Sequence, residues 1–347
     1  MDKVKLLLLL IVFVFSGEMN PSFSFQALPK SADRTEDFDT HKGTVRFQIP
    51  VDVQISNTKE ENLTISDAET IYLDWGLLIL PKNYSNNGIP TRLVIVCHGA
   101  GGTVTGNGSQ VEDFPLTKYL VNEGFAVMDM AGLPEQFAEK FSINLFNNMG
   151  SGIAIQSYIK GYRWVIENYN IEQNGAHLWG GSMGGLTSNN LLYSGQIPIL
   201  SQSAACPVTD LYNQAWLNPW SNNAPKIAIA KLFNFKNADI YESEKVIGFN
   251  PMLSNSWLID GLRYKIHGVP IKIWHADEDP VVAYQGSVDF VDAIRRTGGR
   301  AELRTLRAKS HEPMDLGETV KLIVYNDEKV PISPVVEEMF LWIKQFE

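Results

Sequence analysis

Short unbroken apolar runs recur along this chain with helical-period segments between them, and few folds accommodate that alternation. Leu93 to Cys97 (LVIVC) holds no polar residue and is too short for a helix, the pattern of a strand buried on both faces. Phe125 to Gly132 (FAVMDMAG) is similar but for Asp129, and between the two runs FPLTKYLVNEG has helical spacing that stops at Gly124. AHLWG, IPILSQSA, PIKIWHADED and AELRTLRAKSH predict further strands. Ser151 to Asn168, MGGLTSNNLLYSG, VAYQGSVDFVDAIRRTGG and VVEEMFLWIKQ predict helices between and after them. Such alternation implies an α/β fold, a mostly parallel sheet with helices on both faces. Two earlier segments, from Thr44 (TVRFQIPVDVQI) and from Glu69 to Pro81, predict an antiparallel edge to that sheet.

The alternation fails from Cys206 to His267, which is irregular and rich in aromatic residues such as Trp216, Phe235 and Tyr241. An insertion at about residues 207–267, after the sixth strand, accounts for this. It forms either a lid over the sheet edge where ligands bind or a helical connection with a small core of its own. With 347 residues, 44% of them hydrophobic, the chain can bury a large core.

Charge and targeting signals narrow the partners. A formal net charge of -10 repels phosphate backbones and argues against nucleic acid. Lys3 and Lys5 precede the apolar run Leu6 to Phe15, after which the chain turns polar. That order predicts a secretory signal peptide over residues 1–24, with cleavage after Ser16 or after Ser24 both open, and hence a secreted or periplasmic protein. The run is well short of the ~20 residues a spanning helix needs, so stable membrane insertion is not expected. Cys97 and Cys206 each end an apolar run and are read as free buried thiols. No Cys, His and carboxylate cluster has zinc spacing, so no metal is expected. Asn62, Asn83 and Asn107 fit the glycosylation acceptor pattern, which is common by chance.

The chemistry concentrates in HLWGGSMGGLTSNN. Gly180-Gly181-Ser182-Met183-Gly184 fits G-x-S-x-G, follows an apolar strand and opens a helix, as a nucleophile elbow requires. A serine hydroxyl attacks only if a base takes its proton. Downstream, IWHADEDPVV ends one strand and offers Asp277, Glu278 and Asp279 as acids. LRAKSHEPMD follows the last strand and offers His311 as base, so nucleophile, acid and His come in the order this fold demands. HGAGG, from His98 to Gly102, ends the third strand. A phosphate-binding loop is the competing reading of that segment, but no Lys or Ser/Thr follows at the required spacing.

On these residues the chain resembles the α/β-hydrolase superfamily over roughly residues 69 to 347, in its esterase and prolyl-oligopeptidase-like branch. Residues 25–68 then form an N-terminal extension and edge strand, and 69–347 the hydrolase domain with its insertion. The segment His275 to Val282 resembles the H-G-x-x-D-x-x-V signature of that superfamily, with Ala276 in place of the glycine. The resemblance assigns catalysis to Ser182, Asp279 and His311, with Asp277 as fallback acid and Glu278 a poor third. It places the oxyanion donors at the amides of Met183 and of Ala100, with Gly101 second to Ala100. His41, His98, His177, His267 and His275 are read as structural. No cofactor is implied.

The family's peptidases usually carry a large N-terminal propeller, and no segment here is long enough to form one, which favours esters over peptides. Export and aromatic faces that stack on sugar rings suit an oligosaccharide ester or another small-molecule ester. A peptidase acting on short peptides, or a binding module that has lost catalysis, are the alternatives.

Overall fold

The computed structural model describes residues 43–53, 70–217, 223–246, 248–251 and 268–347, and among them are twelve strands, two of only two residues each, and seven α-helices. The expected signal segment, most of the extension 25–68, and His41, Asn62 and His267 lie outside the described residues. The strands of the main sheet are β1 (Thr44–Val53), β2 (Thr70–Ile79), β3 (Leu93–Cys97), β4 (Ala126–Met130), β5 (Ala176–Gly181), β6 (Ile199–Ala205), β7 (Ile271–Ala276) and β8 (Ala301–Leu306). They pair in the order β1-β2-β4-β3-β5-β6-β7-β8. Strand β2 is antiparallel to both β1 and β4, and the pairs from β4 through β8 are parallel. This is the expected α/β-hydrolase sheet, with the antiparallel edge where the early segments placed it.

Helices cover both faces, as a parallel sheet requires. On one face α3 (Gly152–Asn168), α4 (Met183–Ser194) and α6 (Tyr284–Arg296) pack on Leu93, Ile95 and Cys97 of β3 and their neighbours. On the other, α1 (Pro115–Asn122) and α7 (Pro334–Lys344) pack on Val94 and Val96. The period-two split of a single apolar strand between two cores is why β3 has no polar residue. Cys97 and Cys206 are both buried and free. Among the described residues no helix is long and apolar enough to cross a membrane.

Helix α4 is buried from Met183 through Tyr193, because it lies between the sheet and a further layer. That layer holds α2 (Glu135–Lys140), α5 (Asn223–Leu232) and a π-helical turn at Asn213–Leu217. Ala215, Ala228 and Ile229 of the insertion share one apolar cluster with Phe137 of α2 and with Met183 and Leu186 of α4. The described part of the insertion thus packs onto α4 instead of closing on a separate core. Residues 252–267 of the insertion lie outside the described residues.

Two departures from the sequence reading occur near the C-terminus. The strand expected from Ala301 through His311 stops at Leu306, which leaves His311 on a loop. After it comes a hairpin, β9 (Lys321–Tyr325) with β10 (Glu328–Ile332), turning through Asn326 and Asp327 at left-handed φ values of 49° and 63°. Two consecutive residues with positive φ make the tight turn whose twist matches a hairpin.

Phe340 on α7 is 3% exposed and stacks on Tyr119 of α1 with ring centroids 4.2 Å apart. Truncation to Phe340→Ala leaves a cavity between these helices. It is expected to lower the unfolding free energy by about 3–5 kcal/mol, read as a lower urea midpoint at unchanged slope.

Candidate active site

Ser182 sits between β5 and α4 with φ 53° and ψ -121°, a backbone conformation that non-glycine residues rarely adopt. Such a residue costs about 1–3 kcal/mol and persists only where its surroundings hold it. Here its N–H donates to the Ala205 carbonyl at 2.9 Å, while its own carbonyl accepts from Gly185 N at 3.0 Å and Val208 N at 2.9 Å. The glycines around it are there for space. A methyl at Gly184 would overlap the Cys97 carbonyl, and one at Gly180 would overlap Gly184 itself. The turn and the first turn of α4 are therefore pressed against the end of β3.

That contact brings in the HGAGG loop. A methyl placed at Gly99 would stand 3.7 Å from the Ser182 Cβ, so the loop runs directly beside the nucleophile candidate. Ala100 and Gly101 form an exposed turn closed by Gly102 N donating to the Gly99 carbonyl at 3.1 Å, with Gly101 at φ 91°. Met183 is the first residue of α4. Below the loop, His98 is buried with Nδ1 3.0 Å from Asp129 Oδ2. Asp129 Oδ1 also accepts from the Tyr158 hydroxyl at 2.6 Å and from Met130 N at 2.9 Å. His98 is structural, as expected, and its task is to anchor the loop.

The acid and base candidates come from the ends of β7 and β8. Asp279 Oδ2 accepts from His311 Nδ1 at 2.8 Å. Its Oδ1 accepts from the amides of Val281 at 2.7 Å and Val282 at 3.0 Å. Burial alone would raise this carboxyl, but hydrogen bonds from His275, His311 and the Val281 amide hold it well below the usual carboxylate range. Because Nδ1–H of His311 is spent on Asp279, its Nε2 carries the lone pair. Asp277, the fallback acid, is used elsewhere: Oδ2 pairs with Arg307 at 2.7 Å and Oδ1 accepts from Ala308 N at 3.1 Å. The Arg307 hydrogen bond lowers its pKa. Glu278 is exposed, and its amide donates to the Ala308 carbonyl at 3.2 Å. The structure thus brings Asp279, not its neighbours, to His311, while Asp277 and Glu278 tie the two loops together.

Of the remaining histidines, His177 is buried with Nδ1 2.8 Å from Ser201 Oγ, and burial followed by the Arg92 charge lowers its pKa to about 4. His275 is buried too, yet its Nε2 lies 3.2 Å from Asp279 Oδ2. A purely structural reading of the sequence misses this contact, although His275 opens the signature segment and stands four residues before the acid. Among the described residues, Cys206, His275 and Asp279 form a group close enough to hold a metal ion, with ligand atoms within 4.8 Å of one another. Burial pushes the Cys206 thiol well up, with the Asp279 charge adding to the shift, so the thiolate that a metal prefers is disfavoured. The three groups are hydrogen-bonding partners.

The depressed Asp279 pKa has a consequence for stability. Such a carboxylate binds fewer protons folded than unfolded, so its contribution is complete above about pH 5 and is lost as the pH falls through the unfolded value near 4 and below. Asp279→Asn imitates the protonated acid at every pH. The variant is expected to be clearly less stable than the parent at pH 7, with the gap narrowing towards pH 3, as read from urea unfolding at both values.

Many solved structures share the fold. The acylaminoacyl peptidase of Pyrococcus horikoshii aligns with a TM-score of 0.54 at 12% identity, covering 78% of this chain and 38% of that one. The chain thus spans 38% of the peptidase's length. Carboxyl esterase 2 of the mycorrhizal fungus Tuber melanosporum aligns with a TM-score of 0.54 at 14% identity over 91% of this chain and 88% of the esterase. Candida antarctica lipase A gives 0.52 at 12% identity over 78% and 73%. A comparison with curated protein sequences gives no match. Residues 114–321, which include Ser182, Asp279 and His311, match the prolyl oligopeptidase family. The chain belongs to that family, a branch of the serine hydrolases built on the α/β-hydrolase fold.

Proposed function

We propose that the protein hydrolyses carboxylic esters through a Ser182, His311 and Asp279 triad and an acyl-enzyme. The observation that carries this reading is the 2.8 Å bond from His311 to Asp279, on the two loops that follow neighbouring strands β7 and β8. The strained elbow presents Ser182 at the same edge of the sheet, where β5, β7 and β8 all end. Ser182 Oγ attacks the acyl carbonyl as His311 Nε2 takes its proton, and Asp279 orients the imidazole and stabilises its cation. The oxyanion accepts from the amides of Met183 and Ala100, with Gly101 as the alternative loop donor; one such donor is worth about 3–4 kcal/mol. His311 then protonates the departing alcohol. Water, deprotonated by the same imidazole, attacks the acyl-enzyme and releases the acid and free Ser182. This chemistry calls for no cofactor.

Ester preference is supported by the likeness to the fungal carboxyl esterase, which extends over most of both chains. A carbohydrate ester fits the aromatic wall beside the acid loop. Gln214 Nε2 donates to the Val281 carbonyl at 3.2 Å, which ties the π-helical turn to that loop. Trp216 and Tyr241 lie 4.9 Å apart in the same wall, and Tyr212 shows 39% of its surface to solvent. An exposed aromatic face of this kind stacks on sugar rings. Release to the outside of the cell, or to a periplasm, follows from the lysines and apolar run of the first fifteen residues. The family match and the likeness to an acylaminoacyl peptidase favour a second reading, hydrolysis of short peptides.

Initial rates on p-nitrophenyl acetate and on an aminoacyl p-nitroanilide separate the readings. The ester alone is expected to turn over, and comparable cleavage of the anilide would favour the peptidase. Ser182→Ala is expected to reduce turnover to background while the variant stays folded, and an unchanged rate would sink the assignment. Asp279→Ala is expected to lose about 10³–10⁴-fold in kcat, and Asp277→Ala less than about tenfold.

A further inference from the structure

Asp279 accepts from two imidazoles on one oxygen. His311 Nδ1 reaches Oδ2 at 2.8 Å from the loop after β8, and His275 Nε2 reaches the same oxygen at 3.2 Å from the last turn of β7. Behind His275, its Nδ1 lies 2.7 Å from the hydroxyl of Ser287 on α6. Hydroxyl, imidazole and carboxylate thus follow one another behind Asp279 in the order that the proposed triad takes in front of it. The second arm is sealed, because His275 and Ser287 are both 0% exposed and cannot meet a substrate.

Its protonation follows from its partners. The Val282 carbonyl, 3.1 Å from His275 Nε2, can only accept, so Nε2 carries the hydrogen and shares it between that carbonyl and Asp279. In the neutral ring Nδ1 is then an acceptor, and the Ser287 hydroxyl donates to it. The ring stands edge-on to Tyr284, with centroids 5.6 Å apart at 88°. Asp279 Oδ1 is held by the Val281 and Val282 amides. With two N–H donors on each oxygen, the carboxylate cannot rotate without breaking bonds at both ends. The titratable groups around it are the Cys206 thiol after β6, His275 on β7, and His311 and Glu312 after β8.

We propose that His275, its tautomer set by Ser287, is a positioning residue for the reaction. Its Nε2–H holds Asp279 Oδ2 in line with His311 and draws off part of the negative charge that the carboxylate presents to the catalytic imidazole. The proposal rests on the triad reading above. Removing the N–H leaves Oδ2 held by His311 alone, which loosens that oxygen's alignment with the imidazole and lowers kcat. It also leaves more negative charge facing His311, which favours the protonated base and moves the acid limb of kcat/KM to higher pH. KM is not involved, since His275 does not reach the substrate.

The test uses full-length His275→Leu, His275→Gln and Ser287→Ala, assayed with p-nitrophenyl acetate from about pH 5 to 9 and normalised to active sites by fluorophosphonate titration. Gln at this position can place an N–H close to where Nε2 lies. His275→Leu is expected to lose about 10–100-fold in kcat, in the range of other outer-shell partners, with KM within about twofold and the acid limb raised by about half a pH unit or more. His275→Gln is expected to stay within about threefold of the parent with its limb unmoved, and Ser287→Ala to shift the limb in the same direction as Leu by a smaller amount. Equal losses in Leu and Gln with superimposable pH profiles, or a parental kcat and profile in Leu, would overturn the proposal. Where Leu does not fold, an unmoved limb in Ser287→Ala overturns it instead. Ser182→Ala separates the two levels: turnover in that variant removes the triad reading itself. A dead Ser182→Ala beside an unmoved His275→Leu removes only the role of His275.

Discussion

Gly184 lies against the carbonyl of Cys97 with no space for a methyl group, and the arrangement of the site depends on that approach. It joins the end of β5, which carries Ser182, to the end of β3, which carries the HGAGG loop. The serine can be held at φ 53° because its amide and carbonyl are bonded to Ala205, Gly185 and Val208. Those bonds exist only if α4 starts close enough to β3 and β6 for the loops to meet. A Cβ at the wrong glycine would push the helix away and lose the strain, the loop contact and the elbow together.

The same closeness dictates the character of α4. A helix with the sheet on one side and the insertion on the other has no solvent face, so its polar residues must find partners inside. Thr187 donates to Asn148 at 3.1 Å, Ser188 to the Gly185 carbonyl at 3.0 Å, and Asn190 to the carbonyls of Gly150 and Phe249 at 2.9 Å each. Asn189 accepts from Gln202 of β6. The Ser188 bond stays within the helix, but the others fasten it laterally to the chain around it, where apolar side chains alone would let it slide.

What was legible in the sequence follows the same physics. Strands β3 and β4 read clearly because they are apolar on both faces, with Asp129 the one polar residue of β4, and the pentapeptide around Ser182 because its glycines answer a steric demand. The polar stretch TSNN of α4 carries little helical periodicity, and its place in the fold came from the elbow before it. The hairpin at 321–332 went unread, although an Asn-Asp pair between alternating residues marks it. The signature segment placed the acid at Asp279 in the sequence, but that Asp277 is held by Arg307 and Ala308, on the loop after β8, is something no local spacing reveals. His275 had the burial expected of a core histidine, but burial does not say on what its hydrogen bonds are spent.

The site is divided between the middle of the sheet and its rim. Ser182 follows β5, flanked by β3 and β6, whereas Asp279 and His311 follow β7 and β8, and β8 is the outermost strand. Strands at the margin of a sheet open at lower free energy than those at its centre. On warming, the proposed acid and base would therefore come loose while Ser182 stayed seated in its elbow. Activity would fade as a local melting of one margin, ahead of the collapse of the domain, and would return on cooling for as long as the centre held.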